Sequence, residues 1–223
     1  MTVYPLLLAS MTASGALMGG LVLAFRSPIT EGIRIREEDG RKIAGMRLWA
    51  KLGANSATSV ALLFGLSWVA YDWLFYAAAA SAGRMLFEIF AVLALYDFLY
   101  YLAHRFLFHG KLMHRFHAVH HAAKYPQAMD SLYVHPVETV VGLVLLMGST
   151  AVIGPVNVWS FGILFLIYSL MNILIHSGLD VPFAAMAPFN AMAKKHDRHH
   201  VSMKSGNYAS ITPICDHIFG TAE

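Results

Sequence analysis

Charge is what this chain has least of. Only 13% of its 223 residues are Asp, Glu, Lys or Arg, about half of the roughly 25% usual in a soluble domain. Hydrophobic residues make up 57%, and the mean hydropathy is +0.56. That balance excludes a body wetted on all sides and points to a membrane solvent. A formal charge of +3 is too small to argue for a nucleic-acid partner. Cys215 is the single cysteine, which rules out an intrachain disulfide and any site built from several thiolates. The chain also lacks a G-x-G-x-x-G fingerprint, a C-x-x-C pair and a haem-binding H-P-G-G; residues 135–138 read HPVE instead. Neither an internal repeat nor a polar linker divides it.

Long uncharged runs are abundant. Residues 5–25 carry no charge and are long enough to cross hydrocarbon. No basic stretch precedes them, so a retained span is expected rather than a cleaved leader. Further apolar blocks cover about 54–80, broken only by Asp72, and 85–101, running on as helix towards His109. The last two lie at about 139–153 and 157–175, parted by Gly154-Pro155. The predicted fold class is all-α, an integral membrane helical bundle of four to five spans. The 139–153 block is short enough for a tilted or re-entrant hairpin.

Basic residues set the expected orientation. Residues 26–51 carry Arg26, Arg34, Arg36, Arg41, Lys42, Arg47 and Lys51. Residues 105–124 carry Arg105, Lys111, Arg115 and Lys124, and the tail carries Lys194, Lys195, Arg198 and Lys204. Five alternating spans put all of these on one side and leave only Arg84 on the other. The positive-inside rule makes the rich side cytoplasmic, with the N-terminus outside.

The same alternation sorts the 12 histidines onto that cytoplasmic side. Two segments, HAVHH at 117–121 and HDRHH at 196–200, share the pattern H-x-x-H-H. Offsets of three and four bring all three rings of each to one helix face. A third segment, HRFLFH at 104–109, is H-x4-H. On a regular helix those two rings stand about 140° apart, so a helix end or a bend is needed to bring them together. Together the segments offer His104, His109, His117, His120, His121, His196, His199 and His200, and His135 and His176 raise the number to ten. His114 and His217 fall outside the pattern. So many imidazoles suit two ions of four or five nitrogens each, with an open position. Imidazole serves iron, zinc and copper alike. Soluble di-iron sites use paired Glu and Glu-x-x-His, and this chain has no Glu-x-x-His. Asn172, four residues before His176, is a minor candidate for an amide-oxygen ligand. Asp97 shares a stripe with Tyr101 and His104, and is expected to accept the N–H of an imidazole and fix its tautomer. Asp130 and Asp197 are weaker candidates for the same task, while Glu88 and Asp72 lie too far from the boxes to assign.

The ordered segments YDFLYYLAHRFLFH, RFHAVHH, YVHPVE, HSGLDVP, HDRHH and NYASITPICDHIFGT resemble the fatty acid hydroxylase/sterol desaturase superfamily over about residues 90–221. YVHPVE looks closest to its sterol desaturase-like branch. Residues 1–85 lie outside the resemblance and are expected to be N-terminal spans with a basic cytoplasmic loop; the resemblance implies that 86–223 are the catalytic region of one continuous membrane domain. It implies a di-iron centre, two iron ions held by the eight box histidines with His135 and His176 as additions. O₂ would be the co-substrate, and the reaction hydroxylation or desaturation of a lipid C–H bond. A lipid substrate from the bilayer and a separate electron donor, a ferredoxin or small cytochrome with its reductase, are the expected partners. Two other classes compete on the residues alone: a zinc-dependent membrane hydrolase, which needs far fewer histidines, and a membrane metal transporter or sensor, which would place ligands near mid-bilayer. Two positions depart from the superfamily's usual closing motif, Cys215 and His217, and His114 stands where an aromatic is common.

Overall fold

The computed structural model describes residues 2–36 and 44–223. Arg41 and Lys42, counted above in the basic loop, lie outside the described residues. Five helices are long and apolar enough to cross a membrane, as the upper expectation had it. They are α1 (Tyr4–Arg26), α2 (Gly45–Val69), α4 (Ala82–Leu102, continued by a π-helical turn to Phe108), α6 (Pro136–Ile153) and α7 (Val158–Ile175). Short α3 (Tyr71–Leu74) follows α2, and α5 (His114–His120), α8 (Ala187–Val201) and α9 (Ile214–Ile218) lie outside the spans. α6 is one unbroken helix of 18 residues, about 27 Å long, with no re-entrant turn within it, and is long and apolar enough to count as a span.

Local signals explain the boundaries. Pro136 occupies the first turn of α6 behind an N-cap at His135, and Gly154 at φ 102° stops it. The Asn157 side chain then accepts from Trp159 N–H and starts α7. The second span differs from its predicted 54–80. It begins nine residues earlier, at Gly45, and ends at Val69, ahead of Asp72. Arg47 and Lys51 are tolerated because they fall in its opening turns, where long basic side chains reach the polar boundary.

α1 lies along α7, α4 along α6 and α7, and α2 along α6. Leu7, Leu63, Val92, Tyr96, Leu146, Phe161 and Leu164 fill the space between them. At the end away from the histidines, Phe75 and Tyr76 pair in parallel with Val156 and Asn157. Buried Glu88 locks that end, accepting from Arg84 Nε (2.7 Å), Tyr76 OH (2.9 Å), Asn157 N–H (3.0 Å) and Ser160 Oγ (2.6 Å). Arg84, the one basic residue at this end among the described residues, is thereby paired. At the opposite end, Ile35 N–H donates to Gly178 O and Arg36 meets Asp197, so the first loop and the tail share a side.

Candidate metal centre

Four pieces of backbone deliver the histidines. His104 lies in the π turn and His109 caps it, His109 N–H donating to His104 O at 3.0 Å. Bonds reaching back five residues bring position i+5 nearly over position i, which supplies the bend that H-x4-H required. His117, His120 and His121 come from α5 and its C-cap, His196, His199 and His200 from α8, and His176 from the C-cap of α7.

These nine rings form two groups. His104, His109, His117, His121 and His199 make one; His120, His176, His196 and His200 make the other. Within each group the ligand nitrogens all lie within 4.8 Å of one another. Each H-x-x-H-H segment is divided between them: the i, i+4 pair His117/His121 joins the first group and His120 the second. In α8 the i, i+4 pair His196/His200 joins the second and His199 the first.

The outer nitrogens decide what the inner ones can do. Nδ1 of His104 meets Tyr208 O (2.7 Å), that of His109 Met203 O (2.8 Å) and that of His199 Gly206 O (2.7 Å). In the second group, Nδ1 of His120 meets Tyr133 O (3.2 Å), that of His176 Asn172 O (2.6 Å) and that of His200 Ala123 O (2.8 Å). A carbonyl only accepts, so each of these Nδ1 atoms carries the proton and each Nε2 presents a bare lone pair. Yet Nε2 atoms of rings fixed in this way face each other across 3.1 Å in His104–His199, His109–His199 and His120–His176. Bare lone pairs at that range repel unless a cation lies among them. Nitrogens about 2.1 Å from a metal and at right angles around it stand about 3.0 Å apart. The donor set therefore fits a bound metal ion in each group.

Burial keeps the rings in the ligating form. It pushes His109 down to about 4 and His117 and His176 to about 3, and lowers His120, His121, His196, His199 and His200 as well, with neighbouring imidazoles adding to it. All eight are neutral at physiological pH.

The remaining expectations divide. Asp97 does not meet an imidazole; its carboxylate accepts from Ile211 N–H (2.9 Å), Thr212 N–H (3.1 Å) and Thr212 Oγ1 (2.6 Å). His104, its expected client, is already held by Tyr208 O, so Asp97 acts one step removed, by pinning the segment that carries that carbonyl. Asp216 does the same, accepting from Tyr208 N–H (2.9 Å) and Ala209 N–H (3.1 Å). His135 stands outside both groups, because its Nδ1 accepts Val137 N–H (3.2 Å) and caps α6. Asn172 contributes its backbone carbonyl, given above as the partner of His176. Asp197 pairs with Arg36 at 2.9 Å, and Asp130 accepts Gln127 N–H at 2.9 Å. His114 and His217 lie outside both groups, as expected.

The carboxylate that does reach an imidazole is Glu138, unassigned from sequence. It is buried in the first turn of α6, with Oε2 2.9 Å from His117 Nδ1. An acid opening an otherwise apolar span was the available signal.

Beside the histidines lies a cavity of about 330 Å³ between α1, α2, α4, α6 and α7. His104, His117, His120, His176 and His196 form one end, and Leu63, Tyr96, Leu143 and Phe165 line it farther in. The molecule is thus a helical, multi-span membrane protein with a histidine centre that can hold metal, facing a cavity among its spans.

The fatty acid hydroxylase family model matches residues 89–221, and the chain belongs to that family, within the fatty acid hydroxylase/sterol desaturase superfamily. Among curated proteins it is similar to methylsterol monooxygenase 1 of Rattus norvegicus, 36% identical over 131 residues, covering 56% of this chain and 43% of that protein. It is 36% identical over 143 residues to methylsterol monooxygenase 1 of Gallus gallus, covering 61% and 46%. To very-long-chain aldehyde decarbonylase GL1-10 of Oryza sativa subsp. japonica it is 31% identical over 150 residues, covering 63% and 48%. The chain spans about half the length of the curated relatives it matches. No solved structure gives a significant match.

Proposed function

We propose that this protein is a membrane-bound non-haem di-iron oxygenase that uses O₂ to hydroxylate, or desaturate, a C–H bond of a lipid such as a sterol or a fatty acyl chain. The observation that carries the reading is the pair of inward-facing Nε2 sets at the end of a membrane-embedded cavity. His104, His109, His117, His121 and His199 would hold one iron; His120, His176, His196 and His200 would hold the other. When bound, the irons supply the activation of O₂ and the oxidising equivalents. The chain does the rest. Carbonyls hold the Nδ1 atoms of His104, His109, His120, His176, His199 and His200, Glu138 holds that of His117, and so these seven Nε2 atoms are aimed inward. Tyr96, Leu63, Leu143 and Phe165 give the lipid an apolar place to lie and keep water from the reacting carbon.

Nine gathered imidazoles exceed the three or four ligands of a zinc hydrolase, and their place at one end of the bundle does not suit a transport path. Both irons would sit on the cytoplasmic side, where the basic residues collect. No fingerprint for a redox cofactor is present in the sequence, so electrons would arrive from a separate ferredoxin or small cytochrome with its reductase. The test is lipid profiling of cells with and without the gene, followed by assay of purified protein with a reductant. An O₂-dependent lipid alcohol or alkene is expected; unchanged lipids and no O₂-dependent product would overturn the reading.

A further inference from the structure

The cavity carries a polar group that the metal chemistry does not use. α1 lines it with Met11, Ser14, Gly15 and Met18. Ser14 is only 8% exposed, and its buried Oγ has no hydrogen-bond partner among the described residues. A hydroxyl in hydrocarbon normally finds an acceptor or a donor, since leaving one unmade costs free energy. Its neighbour in the same helix, Ser10, shows the ordinary solution, donating to Gly162 O at 3.1 Å.

The depth of Ser14 follows from helix register. α1 and α7 run parallel, with Ser10 beside Gly162 and Phe25 beside Gly178. Ser14 therefore stands level with residue 166, ten residues before His176, which is about 15 Å along the helix axis. That separates it from any oxygen function next to the carbon presented to the histidines. α1 also lies outside residues 89–221, the part matched by the family model.

We infer that Ser14 is a recognition site for a hydroxyl on the substrate lipid, carried about 15 Å from the C–H bond at the histidines. The inference rests on the oxygenase reading only in taking the cavity as the substrate's seat. A ligand hydroxyl would satisfy Ser14 Oγ, whereas a pure hydrocarbon would cover it without a partner. Sites built to hydrogen-bond a ligand oxygen discriminate against analogues that lack it. The distal end of the lipid would thus be selected by a helix outside the metal-binding region.

The test uses the full-length protein reconstituted in phosphatidylcholine vesicles, with radiolabelled dodecan-1-ol and dodecane as probes. The ratio of their dissociation constants is compared between wild type and Ser14→Ala, so that partitioning into the same lipid cancels. Wild type is expected to favour the alcohol by about three- to tenfold more than Ser14→Ala does, and Ser14→Thr to retain the preference. An equal ratio in wild type and Ser14→Ala, or no binding of either probe, would overturn the inference. Because binding is read without turnover, a preparation that shows the preference but no O₂-dependent oxidation would sink the oxygenase reading and leave this site standing.

Discussion

The two histidine groups draw on the same two H-x-x-H-H segments but are held by different parts of the chain. In the five-histidine group, the rings of His104, His109 and His199 are fixed by carbonyls of residues 203–208. That segment has little regular structure of its own; Asp216 pins it at Tyr208, and Asp97 pins the residues just after it, Ile211 and Thr212. In the four-histidine group, His176 is held from within α7, His120 by residue 133 just before α6 and His200 by residue 123 just after α5. Glu138 adds a carboxyl partner to His117 of the first group. One centre thus depends on a C-terminal strap and the other on helix ends. Loosening the strap should therefore separate them.

The largest effect is expected from removing a ring. His199→Ala should cost the five-histidine metal, and His120→Ala or His200→Ala the four-histidine metal, each leaving about one equivalent per chain. Turnover should be lost in all three while membrane insertion is retained, as read by metal analysis, product assay and membrane fractionation. Two equivalents remaining in any of them would remove that ring from the ligand set.

Next comes the strap. Asp216→Asn takes away a carboxylate that receives Tyr208 N–H, Ala209 N–H and Thr221 Oγ1. Metal affinity should fall about 10–100-fold at the five-histidine group and hold at the other, in a competition titration with a chelator. Equal loss at both groups would erase the distinction drawn above. Glu138→Gln should act in the same direction but near the lower end of that range, about tenfold, since it alters one ring out of five.

Acid is expected to make the smallest difference between the groups, because depressed imidazoles occur in both. In the unfolded chain these rings take up protons below about pH 6.5. In the fold they stay neutral until about 4 for His109 and about 3 for His117 and His176. The unfolded state therefore binds more protons between those limits, and the stability of metal-free protein should fall as the pH drops from 6.5 towards 4. At pH 5.5 the loss is about 1 kcal/mol per ring, measurable by thermal unfolding at pH 7.5 and 5.5.

Much of this was legible in the residues. Uncharged length pointed to four to five spans and Gly154-Pro155 to the break between the last two, whereas the caps at His135 and Asn157 and the start of α2 at Gly45 emerge only in the structure. The spacing in 117–121 and 196–200 gave six of the nine clustered rings. What spacing could not give was which ring joins which group, since helices α5 and α8 each present rings to both, and that follows from how they face across the bundle. Asp97 was read from its stripe with His104, but a stripe shows only which residues share a side. A segment more than a hundred positions later reached that carboxylate first. Glu138 shows the converse: nothing in its spacing ties it to His117, which it reaches across 21 positions, while His135 beside it has a ligand's chemistry but serves as a helix cap.

Metal content per chain tests the central claim most directly. Purified protein is expected to carry about two irons, falling to about one in His199→Ala. A single zinc in the wild type, or two irons persisting in that variant, would contradict a centre built from two separable histidine groups.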